Sequence, residues 1–347
     1  MSNALRDLAA SREVLFVGGK GGVGKTAVAS ALGLAQARAG RPTLVVSTDP
    51  AHNLGHLWRR TVGDRPVELA PLLRGLEIDP ARTTDEHLRA VGATMQRLMP
   101  EHLQGQVAKH LELARDAPGT HEAAVLERVA EVVEGRTPDE LIIFDTAPSG
   151  HTSRLISLPE LMQAWTEGLL NRQDRSARFG AALRGLEADD RAAADVIGTS
   201  RFGRGDATGV TTIGPARSQD RRARRDAEIR EILDRRQKRF RRLREVMQDP
   251  ERTSFVAVLA AERLPVLETI ELHEQLTRSG MQVAALVVNK RSPADGGELL
   301  AARRVIEDGY LRQLTSALPG LPVVEIPLLP GEVLGEEGIA AFADHLA

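Results

Sequence analysis

Val14 to Val17, "VLFV", runs straight into "GGKGGVGKTAVAS", and this junction constrains the chain more than any other stretch. A short apolar run halted by glycines reads as a buried parallel strand. The residues that follow, "TAVASALGLAQARAG", have helical spacing and stop at Gly40. Next, "PTLVVSTDP" reads as a second buried strand leading to Asp49. Strand, glycine turn, helix and strand make one βαβ unit. Further strands are expected at Leu141–Phe144 and within "TSFVAVLAAE", "MQVAALVVNK" and "LPVVEIPLL". Six apolar strands separated by helices predict an α/β fold with a doubly wound, mostly parallel sheet. Such sheets bind ligands at the carboxyl ends of their strands. Asp49, Asp145, Glu262 and Asn289 all fall at those ends.

The glycine turn carries the chemistry. "GKGGVGKT" fits G-x-x-x-x-G-K-[ST] at Gly19, Gly24, Lys25 and Thr26. Its glycines allow backbone N–H groups to turn inward around phosphate oxygens, and the following helix adds its positive dipole end. Gly19, Lys20, Gly21, Gly22, Val23, Gly24, Lys25, Thr26 and Ala27 are therefore candidate ATP-binding residues. Lys25 is placed to reach the β and γ phosphates, and the Thr26 hydroxyl to ligate Mg²⁺ directly. Asp145, after "LIIF", occupies the place of an acid that holds Mg²⁺ through water; its competing reading is a helix cap. Asp49 is either a residue that orients or deprotonates the attacking water, or a turn aspartate before Pro50. One lysine suffices for such a loop, yet this one has two. Lys20 follows the first glycine, where its side chain points away from its own triphosphate toward an opposing surface. A second subunit there would receive its charge; otherwise Lys20 is a solvated lysine adding positive potential.

The remainder bounds the answer. A length of 347 residues suggests about two domains, or one α/β domain with an insertion. A net charge of −2 does not point to nucleic acid. With no cysteine in the sequence there are no disulfides, cysteine nucleophiles or thiolate metal sites. His52, His56 and His151 lie near the strand-end loops, but without cysteines no zinc site is expected. "MSNALRDLAASREVLF" lacks the basic and apolar regions of a signal peptide, and no run of eighteen apolar residues occurs, so a cytoplasmic chain is expected. Two stretches break the strand–helix alternation. Thr83 to Gly135 is helical in pattern, and Pro159 to Gln248 contains no convincing strand. Within the latter, Gly198–Gln219 reads as a loop. Asp220–Glu245 carries twelve basic and six acidic residues, with Ile229, Ile232, Leu233, Phe240 and Leu243 on one helical stripe. Its basic face suits either solvent or a transient contact with an anionic membrane surface. The expected division is a nucleotide-binding domain of residues 1–82, 136–158 and 249–347, with a helical subdomain of 83–135 and 159–248 inserted into it.

Together, "GKGGVGKT", "DPAHNL", "DTAPSGHTSRLISLP" and "PLLPGEV" resemble the ArsA-type ATPase family of arsenite-pump ATPases and ATPases that target tail-anchored membrane proteins. "PGTHEA", "FVAVLAAERLPVLET" and "LVVNK" extend the likeness to almost the whole chain. The resemblance implies a P-loop NTPase with the deviant Walker A loop, a Mg²⁺-dependent ATPase, and a homodimer that closes around two ATP molecules. It implies that Asp49 acts on the attacking water and that Lys20 works across the dimer. It assigns adenine to Asn289 and the loop from Pro327 and Leu328 to Val333, and places Glu262 near the nucleotide from the dimer interface. Its cargo would be a hydrophobic protein segment such as a tail-anchored client. The other readings are a soluble subunit energising an anion or metalloid pump, and a nucleotide switch that recruits partners.

Departures from the family pattern narrow this. The C-x-x-C that joins subunits through zinc in many members is absent, and Gly297 and Leu300 stand in its place. The family's "EVRG" is "EVLG" here, with Leu334 replacing arginine. The resemblance is therefore to a prokaryotic-type member without cysteines. Leu155, Ile156, Leu158, Leu161, Met162, Trp165, Leus 169 and 170 form an apolar stripe that lines either a client groove or a helix–helix core.

Overall fold

The computed structural model describes residues 4–49, 53–98, 112, 115, 120–146 and 215–346. It divides into two compact units, Met1–Glu160 with Phe240–Ala347, and Leu161–Arg239. The first unit holds an eight-stranded sheet in the order β3-β4-β2-β5-β1-β6-β7-β8. Its strands are β1 (Val14–Gly18), β2 (Thr43–Ser47), β3 (Val67–Ala70), β4 (Leu73–Glu77), β5 (Leu141–Asp145), β6 (Thr253–Ala260), β7 (Val283–Arg291) and β8 (Val323–Pro327). All neighbouring pairs are parallel except β3 with β4. The helices are α1 (Ala4–Ser11), α2 (Lys25–Arg38), α3 (Asn53–Trp58), α4 (Pro80–Leu98), α5 (Thr120–Glu134), α6 (Pro215–Gln248), α7 (Arg263–Arg278), α8 (Glu298–Ala317) and α9 (Gly335–Ala343).

The doubly wound α/β fold expected from the sequence is what the chain forms. Strands covered on both faces should be apolar throughout rather than alternating. Accordingly β1, β2 and β5 are buried at every position. Helix α2 is apolar nearly all round because it lies within the fold, against α1 and α9 as well as the sheet. Its residues Val28, Leu32 and Leu34 join Leu15, Val17, Ile143 and Val256 in one core. On the other face, the rings of Phe16 and Phe144 stack with centroids 4.9 Å apart. Each apolar side chain withdrawn in this way contributes about 1.5–3 kcal/mol before the cost of ordering it.

Two elements differ from the sequence expectation. Strands β3 and β4 extend the sheet beyond the six that apolar runs reveal. β4, "LRGLE", is interrupted by Arg74 and Gly75, so no continuous apolar run marks it. A Cβ at Gly75 would sit 2.6 Å from Leu69 Cδ1, so a larger residue there would have to displace the Leu69 side chain. Arg74 is satisfied by an ion pair with Glu140. The second difference is at residues 215–219, expected to end a loop, which form the first turns of α6. Pro215 opens that helix, a position where proline's fixed φ and missing N–H are tolerated. Phe240 and Leu243 of the expected α6 stripe are buried in the first unit. The rest of the expected loop at 198–219, His52, His151 and the stripe from Leu155 to Leu170 lie outside the described residues.

Candidate functional site

The site forms where β1 ends. Parallel pairing places Val17 beside Asp145 on β5, and Gly18 beside Ala257 on β6. The chain then turns sharply. Gly19 has φ 147°, and a Cβ on it would lie 2.0 Å from the Val258 carbonyl oxygen. Glycine is therefore required here both by backbone conformation and by contact with the neighbouring strand. Gly22 and Gly24 also have positive φ, 77° and 95°. Gly21 and Gly22 are exposed, whereas Val23 and Ala27 are buried against the core.

Lys25 opens α2 and is buried, with Nζ donating to the Lys20 carbonyl at 3.0 Å. Burial pulls its ammonium below the ordinary lysine value, against the opposing pull of Asp145 and Asp49. Thr26, the next residue, donates from Oγ1 to Asp145 Oδ2 at 2.7 Å. Asp145 is fully buried. That burial pushes its carboxyl up to about 7, opposed by the Thr26 hydrogen bond and the Lys25 charge. Ser47 Oγ lies 3.4 Å from the same oxygen. The other oxygen, Oδ1, is buried and has no hydrogen-bond partner. A buried acceptor left unsatisfied beside a threonine hydroxyl fits a hydrated divalent cation. Among the described residues there is no cluster of three or more His, Asp or Glu side chains that could hold a metal by itself. A cation at this place would therefore depend on a substrate's phosphates for further ligands.

Asp49 lies two residues past β2, partly buried. Its backbone N–H donates to Ser47 Oγ at 3.3 Å, and Asn53 Nδ2 donates to its Oδ2 at 3.3 Å. Lys20 has a different partner from Lys25. Its Nζ pairs with Glu268 Oε1 on α7 at 3.0 Å, both side chains being about one-third exposed.

The third wall is the end of β7. Asn289 is buried, donates from Nδ2 to the Val23 carbonyl at 2.8 Å, and accepts the Lys290 N–H at 2.8 Å. An amide retains a second N–H and a second lone pair for another partner. Lys290, which sequence reading passed over, donates from Nζ to the Gly22 carbonyl at 2.8 Å. Its signal in the sequence was only its place beside Asn289. Arg291, also passed over, is almost wholly buried and binds Glu325, Glu307 and Asp308. Pro327 pairs opposite Arg291, and the Leu328 N–H donates to the Arg291 carbonyl at 2.8 Å. Glu262 precedes α7 as its N-cap residue; its exposed carboxylate accepts from Arg303 on α8 at 2.9 Å. The structure thus brings together the glycine loop, Asp49, Asp145 and Asn289, places Pro327 and Leu328 beside Arg291 at the end of β7, and pairs Glu262 with α8.

Residues 12–193 and 215–347 match the family described as anion-transporting ATPase. The chain belongs to that family. It is 31% identical over 339 residues to ATPase get3 of Aspergillus terreus, covering 96% of this chain and 89% of that protein. It is 30% identical over 337 residues to ATPase ASNA1 homolog 1 of Paramecium tetraurelia, at 96% and 91% coverage. The ATPase ASNA1 homolog of Leishmania braziliensis is 31% identical, at 96% and 92% coverage. This family member is an ATP-hydrolysing enzyme. No helix among its described residues is long and apolar enough to cross a membrane.

Proposed function

We propose that this ATPase hydrolyses Mg²⁺-bound ATP between two copies of the chain, and couples closure of that dimer to the handling of a hydrophobic protein segment such as a tail-anchored membrane protein. The observation that carries the reading is the opposed placement of the two loop lysines. Lys25 faces inward toward Asp145 and Asp49, and Lys20 faces outward to Glu268.

In this reading the inward N–H groups of the loop and Lys25 bind the β and γ phosphates. Thr26 Oγ1 would hold Mg²⁺ directly and Asp145 would hold it through water. The ion, when bound, offsets negative charge on the phosphate oxygens. Asp49 accepts a proton from a water as that water's oxygen forms a bond to the γ phosphorus. The bond from γ phosphorus to the bridging oxygen breaks, and ADP and inorganic phosphate separate. Lys20 of one copy adds positive charge at the other copy's phosphates, as an arginine finger does. Asn289, Pro327 and Leu328 hold the adenine, and Glu262 contributes from the dimer interface. The sheet domain of 1–82, 136–158 and 249–347 performs this chemistry, and the helical insertion of 83–135 and 159–248 meets the cargo. The working compartment is the cytoplasm, with at most a transient contact at a membrane surface, and no nucleic acid takes part.

The family is described by anion transport. A metalloid cargo held by soft thiolate ligands would require cysteine, and the sequence has none. That favours the protein-segment cargo over a pump subunit.

The test is capture of a fluorescent apolar helical peptide by the full chain, with ATP and without nucleotide. ATP-dependent capture that is lost in Leu169→Asp, with ATPase activity preserved, is the expected result. Capture equal in both nucleotide states, or unchanged in that variant, overturns the cargo reading.

A further inference from the structure

Lys290 occupies a conformation that lysine rarely adopts, with φ 59°. A non-glycine residue held in the left-handed region is strained, and persists only where its surroundings over-determine it. Two contacts do so here. Its Nζ donates to the Gly22 carbonyl at 2.8 Å, and its backbone N–H donates to Asn289 Oδ1 at 2.8 Å.

Beneath it the strand end is fixed. Arg291 is 1% exposed, and its guanidinium donates to Glu325 at 2.7 Å, to Glu307 at 2.8 Å and to Asp308. Glu307 also accepts from the Ser292 N–H and hydroxyl. The strain at Lys290 is therefore not relieved by sliding β7.

The Gly22 contact has a geometric consequence. A trans peptide sets its C=O and N–H in opposite directions. Holding the Gly22 carbonyl toward β7 turns the Val23 N–H away from β7. Asn289 Nδ2 does the same to the next peptide by binding the Val23 carbonyl, which turns the Gly24 N–H away. Two successive N–H groups are thus aimed to one side, next to the inward Lys25. Successive N–H groups gathered in this manner form an anion-binding concavity.

We propose that Lys290 is a positioning residue for the triphosphate: its ammonium locks the Gly22–Val23 peptide so that the phosphate loop is pre-shaped before nucleotide arrives. This rests on the reading of that loop as the phosphate site, and is independent of the roles given to Asp49 and Lys20.

The test is calorimetric titration of the full chain with Mg²⁺-ADP and, separately, with pyrophosphate, at high salt to screen simple charge attraction. Lys290→Gly relieves the left-handed strain and removes the donor; Lys290→Met retains the stem without a donor; Lys290→Arg retains a charged donor. Losing a hydrogen bond from a charged group corresponds to about a tenfold change in affinity. Lys290→Gly and Lys290→Met should both bind ADP and pyrophosphate about tenfold more weakly. Lys290→Arg should recover most of the loss. The nucleotide-free melting temperature of Lys290→Gly should not fall, because glycine adopts this φ freely. Unchanged affinity in Lys290→Gly overturns the inference. So does weakening for ADP with none for pyrophosphate, which would assign Lys290 to the nucleoside. A melting temperature that falls with affinity would make Lys290 structural. Failure of the wild-type chain to bind ADP would overturn the phosphate-site reading and this inference with it.

Discussion

Lys20 and Glu268 form an ion pair, Nζ to Oε1 at 3.0 Å, that ties the first lysine of the glycine loop to α7. Both side chains are about one-third exposed, so the pair contributes about 0–1 kcal/mol and yields readily to a stronger anion. A triphosphate on a facing copy of the chain is such an anion. Lys20→Ala should therefore bind ATP but lose most turnover, a loss of up to about 10³-fold for a group acting in trans. Asp49→Asn should behave likewise for a different reason, since in the proposed mechanism it removes the proton acceptor. Mixed Lys20→Ala and Asp49→Asn subunits should regain one working site per heterodimer, measured as phosphate release. A dead mixture with heterodimers present would remove Lys20 from the interface.

Asp145 presents one carboxylate oxygen to Thr26 and leaves the other buried without a partner. If that oxygen serves a hydrated Mg²⁺, ATP affinity in the wild type should tighten on adding Mg²⁺, and in Asp145→Asn it should not. Calorimetric titration with and without the ion reads this directly. Equal tightening in both proteins would leave Asp145 with no part in holding the cation.

Gly19→Ala should disrupt the loop through sterics alone. The added Cβ would lie 2.0 Å from a backbone oxygen of Val258, at φ 147°. A backbone oxygen within the sheet has no rotamer by which to withdraw. A loss of at least about 2 kcal/mol in unfolding free energy is expected, together with loss of ATP binding. Denaturant melts compared with wild type check it.

Glu13 gives the fold a pH-dependent component. The Arg252 hydrogen bond at 2.9 Å, aided by Arg136 at 2.6 Å, holds its carboxyl below the ordinary 4.5 despite the opposing effect of burial. A depressed folded-state value contributes stability above pH 4.5 that is lost as pH falls through the folded value. Glu13→Gln should therefore be less stable than wild type at pH 7, by about 1 kcal/mol. The two melting curves should converge below pH 4.5. A gap that widened in acid would contradict this assignment.

Arsenite and antimonite should not stimulate the ATPase through a thiolate site, because the sequence has no cysteine. Tight binding of either ion, seen by calorimetry, would refute the expectation.

Much of this protein is written locally. "VLFV" followed by glycines and an alanine-rich helix specifies β1, the loop and α2, because strand burial, positive φ and helix propensity are properties of short segments. The sheet's doubly wound character followed from the order of apolar runs. Strand-end positions for Asp49, Asp145 and Asn289 came with it, since strands covered by helices on both faces must be apolar and must stop where polar residues begin. Strands β3 and β4 were not legible, because Arg74 and Gly75 break the apolar pattern that marks their neighbours.

Side-chain partners were a tertiary decision. Thr26 and Asp145 are 119 residues apart, Lys20 and Glu268 248, Asn289 and Val23 266, and Lys290 and Gly22 268. Nothing in the local sequence encodes such pairings. They arise from the strand order β5-β1-β6-β7 and its register, which place the ends of β5 and β7 on either side of one loop. The sequence by itself determined the glycine turn between β1 and α2 and the two lysines in it. Only the packed sheet decided that Asp145 lies against Thr26, that Asn289 and Lys290 hold two of the loop's carbonyls, and that its two lysines take different partners, because long-range contacts are set by which strands lie side by side.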